Sequence, residues 1–252
     1  MACNREYIIR LSTVDSTNRY LRDEASALWN KRCDSCFVVV TAEHQTAGRG
    51  QRGNTWNSNA GENLLFSILV RPGETLAVSE QFVLSQAVAL ALHDTMLHYG
   101  IDVRLKWPND IYVGNKKLAG VLVELDCCGA FVEQAIIGVG ININQESFPV
   151  MDRIPVSMKV LQGREFVLDN VLETVLESFS NHYSILRYGD RESITTRYTE
   201  LLLGLNEQCT FIDKDGRFKA VIEGVEPYGH LIVRRGDGGL SRYAFKEVEQ
   251  LL

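Results

Sequence analysis

Residues 45–56 read Q-T-A-G-R-G-Q-R-G-N-T-W and lie between two apolar segments of the chain. The glycines Gly48, Gly50 and Gly53 match, as a string, the dinucleotide-binding fingerprint G-x-G-x-x-G. That fingerprint needs a helix directly after the loop, because the pyrophosphate sits on the helix N-terminus. Here residues 63–70, N-L-L-F-S-I-L-V, follow the loop and predict a strand. The order of strand, glycine-rich loop and strand therefore argues against a doubly wound dinucleotide-binding fold.

The same loop has the chemistry of an anion clamp. Glycine frees the backbone to bend sharply and to approach a ligand closely. Arg49 and Arg52 supply fixed, permanently charged donors for a carboxylate or a phosphate, and Trp56 adds an aromatic ring. A plain surface loop is the alternative, which two arginines and an aromatic side chain in one short run disfavour. We therefore predict a loop that becomes ordered around an anionic ligand.

Length and composition set limits on the class of protein. The chain has 252 residues, 45% hydrophobic and 23% charged, so it can bury a sizeable core. Its formal net charge of -6 gives no overall excess of basic residues of the kind that binds nucleic acid. No window approaches the roughly 18 consecutive apolar residues of a membrane span, and the N-terminus lacks an apolar signal core. We therefore expect a cytoplasmic protein.

The cysteines do not indicate a disulfide scaffold, because six in a chain of this length are too few. Cys33 and Cys36 have C-x-x-C spacing, which leaves a zinc or redox site open. No matching Cys or His pair stands at zinc-ribbon spacing, and the five histidines form no metal-ligand pattern. Reduced thiols near loops are therefore favoured, and we expect no metal site built from these residues.

The hydrophobic pattern predicts an α+β chain followed by a small all-β module. Strands are predicted at residues 7–11, 37–42, 63–70, 103–107, 111–113, 118–125 and 131–143, the last two as a hairpin. Helices are predicted from the N-cap residues 15–18 to about residue 29, and at residues 79–99, 169–186 and 192–203, with residues 145–164 irregular. In the second helix, Leu97 is expected on the apolar face together with Leu92. After Gly204, short strands predicted at residues 210–212, 218–225, 231–233 and 243–245 alternate with turns. We predict a catalytic domain over residues 1–204 and a β-module over residues 205–252.

Three further clusters carry polar chemistry near strand ends. In residues 106–110, K-W-P-N-D, Asp110 can accept a proton or bind hydrated Mg²⁺, and Asn109 can bind a polar ligand edge. Lys117 offers a mobile positive charge at the start of a strand. Residues 138–144, G-V-G-I-N-I-N, suggest a bulge or a backbone held against a ligand. Taken alone, the first cluster is as compatible with a polar turn as with a site, the second favours a solvated turn, and the third favours a packing constraint.

Taken in order, these clusters resemble the biotin protein ligases (biotin–acetyl-CoA-carboxylase ligases). The specific strings are K-W-P-N-D at residues 106–110 and K-L-A-G-V-L-V-E at residues 117–124, and the resemblance is strong over residues 7–145. It implies the class II synthetase-like fold of biotin and lipoate ligases. That fold has a mixed, mainly antiparallel sheet with helices on one side and a small C-terminal SH3-like barrel.

The resemblance implies a two-step reaction that consumes ATP in the presence of Mg²⁺. The biotin carboxylate attacks the α-phosphate of ATP, giving biotinyl-5′-adenylate and pyrophosphate. A lysine of a biotin carboxyl carrier protein or domain then attacks this mixed anhydride. Two alternatives stay open. One is a lipoate or octanoate ligase on the same fold, and the other is a non-catalytic binder of biotin or nucleotide.

The resemblance also implies residue roles. Catalytic roles fall to Lys117 at the α-phosphate, to Arg49, and to Asp110, which would orient or deprotonate the incoming lysine. The residues expected to bind biotin are Ser16, Thr17, Asn18, Gln45, Arg49, Gly50, Gln51, Trp56, Lys117 and Gly120. The residues expected to bind the nucleotide are Arg49, Arg52, Lys117, Asn109 and Asn142. Trp56 would close the loop over the valeryl chain of biotin.

Two departures from the family pattern matter. Many members read G-R-G-R-x-G-R in the loop, whereas Gln51 and Asn54 stand at the fourth and seventh positions here. Arg49 and Lys117 are therefore expected to supply more of the positive charge that the anionic substrates need. Bifunctional members also carry an N-terminal winged-helix DNA-binding domain, and this chain begins its ligase pattern almost at once. We therefore expect a monofunctional type that binds no nucleic acid and no membrane, as a monomer or homodimer.

Arg49→Ala is expected to lose adenylate formation far more than Arg52→Ala. The resemblance assigns Arg49 a catalytic role at the phosphate, whereas Arg52 only assists. A pyrophosphate-release assay with biotin and ATP measures both variants under the same conditions. Equal losses in the two variants would contradict this ranking.

Overall fold

The computed structural model describes residues 7–31, 36–149 and 153–252, apart from the side chain of Arg52. Cys33 lies outside the described residues, so the choice between a metal site and reduced thiols at the C-x-x-C spacing stays a prediction. Within the described ranges, no three His, Cys, Asp or Glu side chains are grouped as a metal ion would require. No helix in those ranges is both long and apolar enough to span a membrane.

Strands and helices alternate in the first part of the chain, and strands alone form its last part. The strands are β1 (Tyr7–Val14), β2 (Val38–Gln45), β3 (Leu64–Val70), β4 (Arg104–Lys106), β5 (Asp110–Val113), β6 (Lys116–Cys128), β7 (Phe131–Ile141), β8 (Gln208–Asp213), β9 (Gly216–Val225), β10 (Leu231–Arg235), β11 (Leu240–Tyr243) and β12 (Val248–Leu251). The helices are α1 (Thr17–Lys31), α2 (Phe82–His98), α3 (Met158–Gln162), α4 (Leu168–Tyr188) and α5 (Arg191–Glu200).

Two sheets organise these strands. The larger sheet has seven strands in the order β1-β2-β3-β7-β6-β5-β4. Strand β1 runs parallel to β2, and every other neighbouring pair is antiparallel. The other five strands form an antiparallel sheet in the order β11-β10-β9-β8-β12, which fits the predicted small barrel. The predicted α+β class with a mixed, mainly antiparallel sheet is confirmed.

The two faces of the larger sheet carry different layers, because successive side chains of a strand point to opposite faces. On β2, Val39 belongs to the main core with helices α2, α4 and α5, whereas Val38 and Val40 pack against α1. The helices were predicted on one side of the sheet. Three of them form that layer, and α1 covers part of the opposite face. The glycine-rich loop covers another part of that opposite face.

The glycine-rich loop joins β2 to β3 as a narrow hairpin. Arg49 and Thr55 form an antiparallel bridge, and the Trp56 N–H donates to the Gly48 carbonyl at 2.9 Å. A single 3-10 turn, Gln51–Gly53, forms its tip. Since strand β3 follows and not a helix, the rejection of a dinucleotide-binding fold is confirmed.

Three local predictions need correction. Leu97 is 57% exposed, because it lies five residues after the buried Leu92, about 140° further round helix α2. The segment predicted as irregular contains helix α3, which Ser157 caps by accepting from the backbone of Val160.

The strand predicted at residues 243–245 ends at Tyr243. The Ala244 N–H donates to Glu247 Oε2 at 2.8 Å, and a turn follows before β12, which was not predicted. The boundary near Gly204 stays a prediction, since Leu202 and Phe211 belong to the same core as helix α2.

Candidate active site

The register of strands β5, β6 and β7 places the polar clusters side by side across the larger sheet. Asp110 on β5 pairs with Gly120 on β6, and Gly120 pairs in turn with Gly140 on β7. Gly138 lies two residues before Gly140 and therefore on the same face of the sheet. This is the face that α1 partly covers, because Asn18 of α1 lies directly over Gly138. This register therefore places Asp110 beside a floor of glycines.

The glycine floor makes room for two larger side chains. A Cβ atom at Gly140 would lie 2.4 Å from Cε2 of Trp56, and one at Gly138 would lie 2.3 Å from Oδ1 of Asn18. A Cβ atom at Gly120 would lie 3.1 Å from the Trp56 ring. The Nε1 of Trp56 is buried and has no acceptor among the described residues. The indole therefore keeps one donor for a ligand or for another position of the loop.

A connected set of polar side chains closes one end of the cavity. Thr17 donates from its backbone N–H to Gln45 Oε1 at 2.8 Å, and its hydroxyl donates to the same oxygen at 3.1 Å. Ser67 lies 2.7 Å from the Thr17 hydroxyl and donates to Asn18 Oδ1 at 2.6 Å. Thr17, Asn18 and Ser67 are all buried. A buried end built from donors and acceptors suits a ligand that also offers both.

Glu124 on β6 holds the loop arginine Arg49. Its Oε2 accepts from Arg49 Nη2 at 3.0 Å and from Asn18 Nδ2 at 2.8 Å, and its Oε1 lies 2.8 Å from Arg22 Nη2. Burial alone would raise the pKa of Glu124, but hydrogen bonds from Asn18 and Arg22 and the charge of Arg49 hold it below its ordinary value. Arg49 is therefore held by a carboxylate that is ionised at neutral pH.

Asp110 lies between two cations on the opposite wall of the cavity. Lys117 Nζ is 2.7 Å from Asp110 Oδ1, and Arg153 Nη1 donates to Oδ2 at 3.0 Å. Arg153 Nη2 also donates to Glu249 Oε1 on β12, at 3.4 Å. Asp110 is only 5% exposed, so these two cations, rather than water, are the polar partners of its side chain. Lys117 Nζ also lies 5.5 Å from the centre of the Trp56 ring, which links this wall to the loop.

Lys106 is a further cation in the cavity wall. It is buried, and this burial lowers the pKa of its ammonium group to about 8. Its Nζ lies 5.7 Å from the centre of the Tyr112 ring. The cavity therefore contains one cation that loses its charge as the pH rises through about 8.

Most of the predicted site residues line this one cavity. Those that do are Ser16, Thr17, Asn18, Gln45, Arg49, Gly50, Gln51, Trp56, Asn109, Asp110, Lys117 and Gly120. Asn142 does not line it, because its Nδ2 donates to the backbone oxygens of Lys117 and Val156 at 3.4 and 3.2 Å. The side chain of Arg52 lies outside the described part of the chain. The roles that the resemblance assigns to all these residues stay predictions.

Several residues of the cavity wall were not predicted. They include Asn54, Thr55, Lys106, Arg153, Glu249 and Gln250, whereas Gly138 and Gly140 belong to the segment interpreted as a bulge or a backbone held against a ligand. Lys106 stands in the K-W-P-N-D string and therefore had a signal in the sequence, whereas Glu249 and Gln250 lie on β12, which was not predicted. Arg153 had none, because it lies in a segment without hydrophobic periodicity.

The chain matches a known protein family over more than half its length. The model of the biotin/lipoate A/B protein ligase family matches residues 11–142. The biotin–[acetyl-CoA-carboxylase] ligase of Paracoccus denitrificans is 30% identical over 234 residues, covering 89% of this chain and 92% of that protein. The bifunctional ligase/repressor BirA of Escherichia coli is 41% identical over 136 residues, covering 53% of this chain and 39% of that protein. Matches to BirA proteins cover between 39% and 71% of their length.

Solved structures share the fold. The biotin protein ligase from Aquifex aeolicus in complex with biotin and ATP matches with a TM-score of 0.79 and 25% identity. The match covers 97% of this chain and 98% of that chain, so it takes in both sheets. The expected fold of the biotin and lipoate ligases is thereby confirmed.

Gly140→Ala is expected to weaken biotin binding about tenfold or more, since overpacking costs about 1–3 kcal/mol. The new methyl group must displace the Trp56 ring and push it into the cavity. Titration with biotin measures the affinity, and thermal unfolding shows that the sheet has formed. Gly236→Ala is the control, because a Cβ atom there has no heavy atom within 4 Å. An unchanged affinity in Gly140→Ala would contradict the packing role of this glycine.

Proposed function

The chain belongs to the biotin/lipoate A/B protein ligase family, and we propose that it is an ATP-dependent biotin protein ligase. It activates biotin as biotinyl-5′-adenylate and transfers the biotinyl group to a lysine of a biotin carboxyl carrier protein or domain. One observation carries this proposal. A single cavity joins a buried polar end at Thr17 and Gln45 to the cations Arg49 and Lys117. Such a cavity suits a carboxylic acid with a polar ring and a nucleotide side by side.

The polar end of the cavity is assigned to the ureido ring of biotin. That ring offers two N–H donors and one carbonyl acceptor, so its burial requires matched partners in the protein. Thr17 and Gln45 supply a hydroxyl and a carboxamide there, and Asn18 is adjacent. The floor at Gly120 and the indole of Trp56 then suit the apolar valeryl chain.

In the first step, a carboxylate oxygen of biotin attacks the α-phosphorus of ATP, and the bond from this phosphorus to pyrophosphate breaks. Two anions must approach each other, so the step needs cations where charge develops. Lys117 and Arg49 supply them by turning from Asp110 and Glu124 to the phosphates. Charge-assisted hydrogen bonds of this kind strengthen as charge builds in the transition state. With Trp56 over the ligand, water is kept from the reactive adenylate.

Mg²⁺ is proposed to arrive with ATP, since Mg²⁺ usually binds through one or two carboxylates plus the phosphates of the substrate. Asp110 already has cationic neighbours at 2.7 and 3.0 Å. The described residues contain no group of three His, Cys, Asp or Glu side chains that could hold the ion. The chain therefore fits a metal carried by the nucleotide rather than one held by the protein. When bound, the ion would neutralise part of the phosphate charge.

In the second step, the amine of a carrier lysine attacks the carbonyl carbon of the adenylate, and the C–O bond to AMP breaks. The amine loses a proton as the amide forms. Asp110 is the buried carboxylate of the cavity wall, and we propose that it orients this amine or accepts its proton. The carrier domain is thus the macromolecular partner. We also propose that the protein acts in the cytoplasm, binds no nucleic acid and is a monomer or homodimer.

A lipoate or octanoate ligase on the same fold is the nearest alternative. The ligase of Paracoccus denitrificans, whose name specifies biotin, favours biotin here. The cations gathered in the cavity wall disfavour the other alternative, a binder without catalysis.

We expect biotin to support exchange of labelled pyrophosphate into ATP in the presence of Mg²⁺, and lipoate or octanoate to support little. Lys117→Ala is expected to lower the biotin-dependent rate by about 100-fold or more, the typical loss when one donor to developing charge is removed. Lys116→Ala is the matched control, because that neighbouring lysine is exposed. Equal exchange with lipoate, or biotin binding without exchange, would contradict the proposed function.

A further inference from the structure

Arg153 brings a guanidinium group into the cavity from the segment before α3. Its Nη1 donates to Asp110 Oδ2 at 3.0 Å, and its Nη2 donates to Glu249 Oε1 at 3.4 Å. It lies outside the glycine-rich loop and outside the strings that carry the family resemblance. The two-step mechanism given above uses the other side of Asp110, where Lys117 sits, and leaves Arg153 without a role.

The mechanism requires Lys117 to give up its contact with Asp110. Lys117 Nζ lies 2.7 Å from Asp110 Oδ1, and it must turn from this oxygen to reach a phosphate. Asp110 is only 5% exposed, so water cannot take the place of the departing cation. Leaving one partner of a buried ion pair without its counter-charge is strongly unfavourable. Another cation must therefore remain in contact with Asp110 while Lys117 binds the α-phosphate.

We propose that Arg153 is this second cation, which holds Asp110 and thereby releases Lys117 for the α-phosphate. The inference rests on the proposed ligase function. The two oxygens of Asp110 are divided between the cations, with Lys117 at Oδ1 and Arg153 at Oδ2. Departure of Lys117 therefore leaves the second contact intact. Arg153 is a positioning residue, since it acts on the reaction through Asp110 and Lys117.

Neither Arg49 nor Lys106, the other described cations of the cavity wall, forms an ion pair with Asp110. Arg49 lies 3.0 Å from Glu124, on the far side of the glycine floor. Lys106 pairs with Asp110 across β4 and β5, and the two charges interact, but its ammonium group lies over the Tyr112 ring and makes no ion pair with the described residues. A planar guanidinium can also fix the orientation of a carboxylate better than an ammonium group can. Arg153 therefore suits the role by both position and chemistry.

Glu249 extends this chain of contacts to the C-terminal sheet. Strand β12, which contains Glu249, pairs with β8 of that sheet. The side chain of Glu249 is 45% exposed, so its contact with Arg153 is weaker than the buried one to Asp110. The contact still holds the second Nη group and limits how the guanidinium can rotate. In this way the C-terminal sheet helps to orient a residue of the site.

Arg153→Ala tests the proposal in biotin-dependent pyrophosphate exchange by the full chain. We expect kcat to fall about 30-fold or more, as when one partner of a buried, hydrogen-bonded charge pair is truncated. The KM for biotin should stay at the wild-type value, because Thr17 and Gln45 bind the ring. Added guanidinium ion should restore part of kcat in Arg153→Ala, and Arg153→Lys should retain part of it.

A double-mutant cycle tests the contact with the C-terminal sheet. Glu249→Gln should lower kcat less than Arg153→Ala does. Combining Glu249→Gln with Arg153→Ala should cause no further loss, because both residues act through one chain of contacts. Independent, additive losses would overturn the part of the proposal that concerns Glu249.

Arg104→Ala is the matched control, since this arginine is exposed on β4. A kcat for Arg153→Ala equal to that of the control would overturn the proposal, and so would a loss confined to the KM for biotin. If thermal unfolding shows that Arg153→Ala does not fold, Arg153→Gln, which keeps a polar side chain but is shorter and uncharged, carries the same expectation. Absence of biotin-dependent exchange in the wild-type chain would instead refute the proposed ligase function.

Discussion

The register of the β6–β7 hairpin is the constraint on which the site depends. It pairs Gly120 with Gly140 and so puts two residues without side chains beneath Trp56. A shift by one residue would turn this floor towards the helices and place Val139 under the indole. The same register aligns Asp110 with Gly120 across β5 and β6. One set of backbone hydrogen bonds thus fixes both the space for a ligand and the carboxylate beside it.

Two carboxylates, Glu124 and Asp110, hold the cations of the site in place. Arg49 forms an ion pair with Glu124, and Lys117 forms one with Asp110. These pairs hold the loop and the wall near the positions that the reaction needs. Phosphate groups then compete with the carboxylates for the same donors. Each carboxylate also contacts a further arginine, from α1 for Glu124 and from the segment before α3 for Asp110. Neither carboxylate is therefore left without a counter-charge when its first cation turns to the nucleotide.

The parts of the structure that sequence predicts well are those with local signals. The strand after the glycine-rich loop excluded a dinucleotide fold, and the strings around Asp110 and Lys117 identified two walls of the cavity. Contacts between distant segments have no such signal. Arg153 reaches Asp110 from 43 positions away, and Glu249 enters the cavity from the last strand of the chain. Asn142, a motif residue at a strand end, donates to the backbone and does not line the cavity, which the sequence did not indicate, and its role at the nucleotide stays a prediction.

A crystal structure of the chain with biotin and ATP is the most direct test that one sheet register places both substrates. We predict electron density for biotinyl-5′-adenylate above Gly120 and Gly140, with Lys117 Nζ about 2.7–2.9 Å from an α-phosphate oxygen. In the same structure, Arg153 should still contact Asp110. The claim would be contradicted if the adenylate bound away from these glycines. It would also be contradicted if Lys117 still contacted Asp110 while other residues held the phosphates.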